Sequence, residues 1–398
     1  VILFLHNRYR TTGGEERVVE ELLALVREQL GEPAELLARD SAALSRAGAA
    51  TGLLRGGLAP GDVEAAVRLS GARIVHAHNL NPSFGWRALR AARQAGARVV
   101  LHLHQYRLVC ANGVCFTRGQ DCTRCHAHNT LPGVLLACRG GRSEAVAYGL
   151  ALAVWQRRLA RLADAVIVPS RFARERLREL GAPLDFDRVH VLPPPVTPVE
   201  PPVPVEPPVP VEPPRPMEPS VRMEPPGSSA AADGGYALVV SRLAPEKGVG
   251  VAIEACRRAG VPLVIAGEGP ESKTLRAQAS GVAVRFAGHV EERELRELRA
   301  GAAIALVPSL SGETFGMAAA EAMAAGVPVL ASRVGALPEL VEEDGLVAPG
   351  EPEALAEAIH RRLSEPGAGE RARARVGELC APRALAGRLM RIYDDACA

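Results

Sequence analysis

With 398 residues the chain exceeds one ordinary core, so two domains are expected. Hydrophobic residues at 47%, charged residues at 23%, a net charge of +2 and only 4% aromatics suit a globular protein and give no footprint for nucleic acid. A strand-like start without a basic leader, and no apolar run long enough for a bilayer span, read as a cytoplasmic protein, where eight cysteines serve as thiols or metal ligands rather than disulfides.

In chain order, the apolar run "VILFL" is followed by a helix from about Gly14 to Leu30, with Val18, Leu22, Leu25 and Val26 on one face. Strand-like runs continue at 34–38, 73–78, 98–104, 165–170 and 189–193, mostly separated by helical patterns. A hexapeptide repeat (VEPPVP, VEPPVP, VEPPRP, MEPSVR) follows at 199–226. Proline blocks helix and sheet there, so an extended spacer is expected, about 85 Å long at ~3.1 Å per residue. A docking ligand for a partner is the alternative. The same alternation then resumes, with apolar runs at 236–241, 261–267, 282–288, 303–309 and 327–332. Strands apolar on both faces, alternating with helices, predict two doubly wound α/β domains with parallel sheets. The predicted units are 1–192, a linker at 193–227, a second domain at 228–381 and an amphipathic helix at 382–398 that packs back on the first domain. Ligands of such sheets bind at strand C-terminal ends, here in the cleft between the domains.

The strand ends carry the chemistry. Gly13 and Gly14 open a helix after the first strand, either as an anion site of free backbone amides or as a plain tight turn. Arg242 and Lys247, five apart in "RLAPEKGV", suit a diphosphate, with solvated surface charge as the alternative. Lys247 is one of only two lysines, against 45 arginines among 47 basic residues. The "GEGP" loop, with Gly267 and Gly269, brings backbone near a ligand, and the amides around His289 in "FAGHV" can read a base edge. In "GETFGMAAAEAMAAGVP" a continuous helix would set Glu313 and Glu321 ~12 Å apart along its axis, which matches two sugars joined by a diphosphate. The alternatives are a glutamate favoured by a helix N-terminus and a core-edge glutamate paired with arginine.

"TTGGEE", "SRLAPEKG", "GEGP", "ETFGMAAAEAMAAGVPVLAS" and "GALPELV" occur in an order and at spacings that resemble the family-4 glycosyltransferases, retaining enzymes of the GT-B fold. The resemblance covers nearly everything but the Pro-rich repeat. It implies a GT-B architecture: two Rossmann-like domains facing a central cleft. It implies that Arg242 and Lys247 contact a donor diphosphate, that Gly13 and Gly14 approach it from the other domain, and that Glu321 binds the ribose. Glu313 and the following backbone (Thr314, Phe315 and Gly316) would hold the donor sugar, with His104 near the reacting centre. The implied donor is a UDP-, GDP- or ADP-sugar, the acceptor a glycan or a lipid-linked hydroxyl, and the chemistry requires no metal cofactor. A nucleotide-sugar epimerase of the same architecture and a non-catalytic nucleotide-sugar-binding module are the competing functions.

Residues 105–142 show no regular pattern but contain Cys110, Cys115, Cys122, Cys125 and Cys138. Cys122-x2-Cys125 is half of a metal site, and the other half needs two of Cys110, Cys115 and Cys138, with Cys115 as the alternative ligand. Structural zinc, a disulfide and free thiols all remain open on spacing. The helical stretch at 143–165, with Arg157, Arg158 and Arg161 at one end, is either a domain helix or one resting peripherally on an anionic membrane.

Overall fold

The computed structural model describes residues 1–9, 13–197 and 235–398, so the Pro-rich repeat lies outside the described residues. The first domain contains β1 (Ile2–Arg8), β2 (Ala34–Asp40), β3 (Ile74–Ala77) and β4 (Arg98–His102), a small hairpin of β5 (Phe116–Thr117) and β6 (Gln120–Asp121), then β7 (Ala165–Val168) and β8 (Val189–Val191). Its main sheet is wholly parallel, in the order β2-β1-β3-β4-β7-β8. The second domain contains β9 (Tyr236–Val240), β10 (Leu263–Ala266), β11 (Val284–Gly288), β12 (Ala302–Val307), β13 (Val329–Ser332) and β14 (Leu346–Val347), parallel in the order β11-β10-β9-β12-β13-β14. Central strands such as β3, β7 and β10 are buried along their whole length, so helices must cover both faces. The predicted parallel α/β architecture is the one observed. The edge strand β14 escapes sequence reading because two residues show no period.

Leu3, Leu5, Val75, Val99 and Leu101 face one core of the first domain, with Phe84 and Leu89. Ile2, Phe4, Ile74, Val100 and Ile167 face the other, against Val18, Leu22 and the helix Pro382–Cys397. The last helix of the chain thus covers one face of the first sheet. The helix after β1 is regular over Gly14–Ala24 and widens to a π turn at Leu25–Gln29, which keeps Leu25 and Val26 buried. Leu389 is fully buried in this layer. Leu389→Ala should lower unfolding stability by about 2–5 kcal/mol, read by urea titration, because the fixed sheet cannot collapse into the space. Loss below about 1 kcal/mol would mean that this helix is not an integral part of the domain.

Both sheets reverse direction of strand addition once, between β1 and β3 and between β9 and β12. Loops leaving adjacent strands diverge at such a point and open a crevice. Tyr9 and Gly13 after β1, and the loops 78–84, 241–248 and 308–316, stand at these points. Among the described residues, no helix is long and apolar enough to cross a membrane.

Candidate functional site at the two sheet switch points

The loops after β9 and β12 are pressed together. Gly248 has φ +63°, and a Cβ there would collide with the Pro308 carbonyl, so a larger residue would push them apart. The Leu310 amide also donates to the Glu246 carbonyl at 2.8 Å. This approach sets Lys247 Nζ 2.6 Å from Glu313 Oε1, which also accepts from Ser309 Oγ at 2.6 Å. Burial pushes the Glu313 carboxyl upward, but the Lys247 charge, the hydrogen bonds from Lys247 and Ser309, and the Arg242 charge together hold it below the ordinary carboxylate value. The Glu313 backbone is clamped from a third loop: Ala336 N donates to its carbonyl at 2.9 Å, and Gly335, with φ +62°, leaves no room for a side chain beside it. Arg242 pairs with the buried Glu246 and keeps a 56% exposed side chain at the rim.

Glu313 and Glu321 do not share a helix. The helix runs over Met317–Ala324, and Gly316, with φ +105°, turns the chain immediately before it, so Glu313 belongs to the loop. Glu321 is taken up by arginines: Arg17 Nη1 lies 2.6 Å from Oε1, and Arg299 Nη2 bonds Oε2. Glu292 also pairs with Arg17 at 2.6 Å. The core-edge pairing weighed as an alternative for Glu321 is therefore present, and a ribose diol would share or displace these donors. Arg17 comes from the first domain, so the pair also ties the two domains together.

Gly267 and Gly269 spend their closeness on neighbouring backbone rather than open space. A Cβ on either would strike the carbonyls of Ser241 or Leu243, and the Gly267 amide donates to Gly288 O at 2.7 Å. His289 follows Gly288 as an exposed residue at the end of β11. Phe315 is buried in the second-domain core. Thr314 joins the domains: its hydroxyl donates to the His104 carbonyl at 2.9 Å, and its carbonyl accepts from Ser170 Oγ at 2.7 Å. On the first-domain side, the Gly13 and Tyr9 amides donate to Glu16 at 2.9 and 3.0 Å, so this loop already holds a carboxylate of its own. Gly14 lies against the Met317 side chain, where an added Cβ would be in ordinary contact at 3.5 Å.

Three histidines were not singled out from the sequence: His76, His78 and His102, which stack with His104 on one face of the first sheet, beside His6. The available signal was the period of two in "HAH" and "HLH" on adjacent strands, which places them on one face. His78 Nδ1 and His104 Nε2 are hydrogen-bonded at 2.8 Å, His76 Nε2 and His102 Nδ1 at 3.2 Å, and His76 Nδ1 and Tyr393 Oη at 2.8 Å. Burial drives the pKa of His76 down to about 3 and those of His78 and His102 well below the free value, and His104 is lowered by the same cause. One nitrogen each of His76, His78 and His102 lies within 4.8 Å of the others. Their ring planes differ by only 9–28° and are stacked, so the in-plane lone pairs lie in separate, nearly parallel planes and do not converge on one ion. The stack is a neutral hydrogen-bonded column behind His104.

Two doubly wound domains, with Lys247, Arg242 and Glu313 gathered at the switch point of the second, define a GT-B protein. Residues 13–195 match the family model "Glycosyl transferase 4-like domain" and residues 224–378 match "Glycosyl transferases group 1". The chain belongs to the family-4 glycosyltransferases. It is 42% identical over 106 residues to a GDP-mannose-dependent alpha-(1-6)-phosphatidylinositol dimannoside mannosyltransferase of Mycobacterium tuberculosis, covering 26% of this chain and 28% of the relative. It is 41% identical over 146 residues to a glycogen synthase of the same species, covering 34% and 35%. The matched part thus spans about a third of these curated relatives. The Anabaena HepE crystal structure with UDP-glucose superposes with TM-score 0.62 at 17% identity, covering 98% of this chain and 99% of that one. Sucrose-phosphate synthase from Thermosynechococcus elongatus gives 0.65 at 18%, covering 99% and 98%. These two likenesses concern the fold.

Proposed function

We propose that the protein transfers a sugar from a nucleotide sugar to an acceptor hydroxyl with retained anomeric configuration, in the synthesis of a cell-surface polysaccharide or glycoconjugate. The observation that carries this is the Lys247–Glu313 pair at 2.6 Å, built by three loops at a sheet switch point. Lys247 and Arg242 would stabilise the charge that develops on the departing diphosphate, which is typically the largest catalytic contribution, so the reading calls for no metal. The bond from the anomeric carbon to the phosphate oxygen breaks and the bond to the acceptor oxygen forms on the same face. The acceptor proton passes to the leaving phosphate oxygen. Glu313 orients the donor sugar through its hydroxyls, and His104, held by His78, lies on the facing domain.

The donors named for the similar proteins, GDP-mannose and UDP-glucose, make GDP and UDP the first bases to try, with ADP as the third that the sequence resemblance allows. A lipid-linked acceptor at the cytoplasmic membrane surface is supported by one face of the helix Arg142–Leu162. It leaves Val146, Leu150 and Val154 half exposed in a row, near exposed Leu131 and Leu135, with exposed Arg157, Arg158 and Arg161 toward the helix end. The opposite face of this helix, Ala145, Tyr148 and Leu152, is buried in the domain.

A thermal-shift panel of UDP, GDP and ADP and their sugars tests the donor site. One base should raise the wild-type melting temperature, because a ligand of the folded state alone stabilises it, and the shift should shrink in Glu321→Ala. If no nucleotide shifts the wild type at millimolar concentration, the donor-site reading is wrong.

A further inference from the structure

The segment between β4 and the helix Arg142–Leu162 is long, and its regular structure amounts to a two-residue-per-strand hairpin and the five-residue helix Leu131–Leu135. Segments of this kind need a staple or a tight core. Four of the five non-glycine residues with positive φ among the described residues fall within it: Cys115, Arg118, Ala127 and Ala137. Such backbone persists only where its surroundings over-determine it. The first part of the segment packs into the first-domain core through Tyr106, Leu108 and Val109, whereas the later part leaves Leu131 and Leu135 exposed.

Four thiols converge here. Cys110, Cys122, Cys125 and Cys138, from four separate points of the segment, line one small cavity together with Arg124. Cys115 does not line it; its side chain lies against that of Cys110, and both pack in the first-domain core. Cys115 stays the alternative ligand, and the Cys115→Ser variant below separates the two sets. Three of the thiols donate to oxygens of the same segment: Cys110 Sγ to Asn112 Oδ1 at 2.9 Å, Cys125 Sγ to the Thr130 carbonyl at 3.9 Å and Cys138 Sγ to Thr117 Oγ1 at 3.8 Å. The cation of Arg124 stands beside a site that would carry net negative charge.

We propose that Cys110, Cys122, Cys125 and Cys138 bind one structural zinc ion in a tetrathiolate site. Four sulfur ligands without an open position suit a closed tetrahedral site and a soft-to-borderline metal. Binding releases the four thiol protons to solvent, leaving a complex with two net negative charges, and no electron is transferred. The sulfurs must draw inward onto the ion, since no three of them lie as close together as the histidine nitrogens described above. The function of the staple follows from what the segment carries at its start. Tyr106 Oη donates to the Gly312 carbonyl at 3.4 Å, next to Glu313, and Arg107 Nη1 donates to Tyr9 Oη at 2.8 Å. Zinc would hold the first-domain wall of the cleft in place while taking no part in the reaction.

Elemental analysis of the full chain, purified without chelators, should find about one zinc per chain. Cys115→Ser should keep it, and the pair Cys122→Ser with Cys125→Ser should lose it. Should that pair fail to fold, cobalt(II) offered to metal-stripped wild type and Cys115→Ser decides the matter. Both should show the intense thiolate-to-cobalt charge-transfer bands and the visible bands of a tetrahedral sulfur site. Zinc below about 0.2 per chain together with no such bands would overturn the proposal. So would iron in zinc's place, or intact-mass evidence of disulfides among these four cysteines. None of these readouts depends on sugar transfer.

Discussion

Glu313→Gln is expected to lower kcat for nucleoside diphosphate release by about 10²–10³-fold, with a smaller change in KM. The substitution keeps the shape of the side chain and removes its charge. In the folded protein that charge is retained against burial by Lys247 and Ser309, both 2.6 Å from Oε1. The carboxylate therefore does two things that an amide cannot do together: it accepts from both donors while anionic, and it fixes the ammonium of Lys247. Without it, Lys247 is left partly buried and uncompensated, free to take other rotamers. Because the loop is clamped by Ala336 and Gly335, the backbone should hold, and the melting temperature serves as the control for folding. Lys247→Met should give a loss of similar order, and the double variant much less than the product of the two, since they act as a unit. The assay uses the nucleotide sugar that shifts the wild-type melting temperature. A kcat within threefold of wild type would remove Glu313 from the reaction and leave it a purely structural anchor.

Acid should destabilise the protein steeply between pH 7 and pH 5. His76, His78 and His102 have folded pKa values depressed by burial, while in the unfolded chain they titrate near 6.5. Above pH 6.5 both states are neutral and the full stability is present. As pH falls below 6.5 the unfolded state takes up protons that the folded state refuses, so stability is lost, and the loss continues toward the folded value, about 3 for His76. From pH 7 to pH 5 each such histidine contributes a loss of about 2 kcal/mol, and the three together roughly 6 kcal/mol, a large share of an ordinary domain's stability. Urea unfolding at pH 7, 6 and 5 measures it. His102→Phe should flatten the slope by about one proton while keeping the ring stack. A slope near zero in the wild type would show that the column takes up protons in the folded state.

The two predictions rest on residues that differ in how readily the sequence reveals them. Lys247 and Glu313 stand out because they are charged residues in loops between apolar runs, where a charge must have a partner. The histidine column is hidden among strand residues and shows only as a period of two on neighbouring strands. The same contrast runs through the donor loops. The glycines of "GEGP" signal close approach of backbone, but not to what, and the structure brings it to the loop at Ser241 and Leu243. The small residues of the helix Met317–Ala324 show no partner by spacing, and the structure buries Ala319, Ala320 and Ala322 in a core cluster that includes Val376 and Cys380 of the helix Ala368–Cys380.

By itself the sequence determined the repeating alternation of apolar strands and amphipathic helices, the break between two α/β units, and the charged residues at strand ends. These are local properties of period and composition, set by which faces must leave water. The tertiary structure alone decided the order of strands in each sheet, and with it the two switch points. It also decided that Gly316 parts Glu313 from the helix of Glu321, that Arg17 reaches Glu321 from the other domain, and which four of five nearby cysteines line one cavity. Those outcomes depend on residues distant in the chain coming into contact, and no local period records which distant partner will be met.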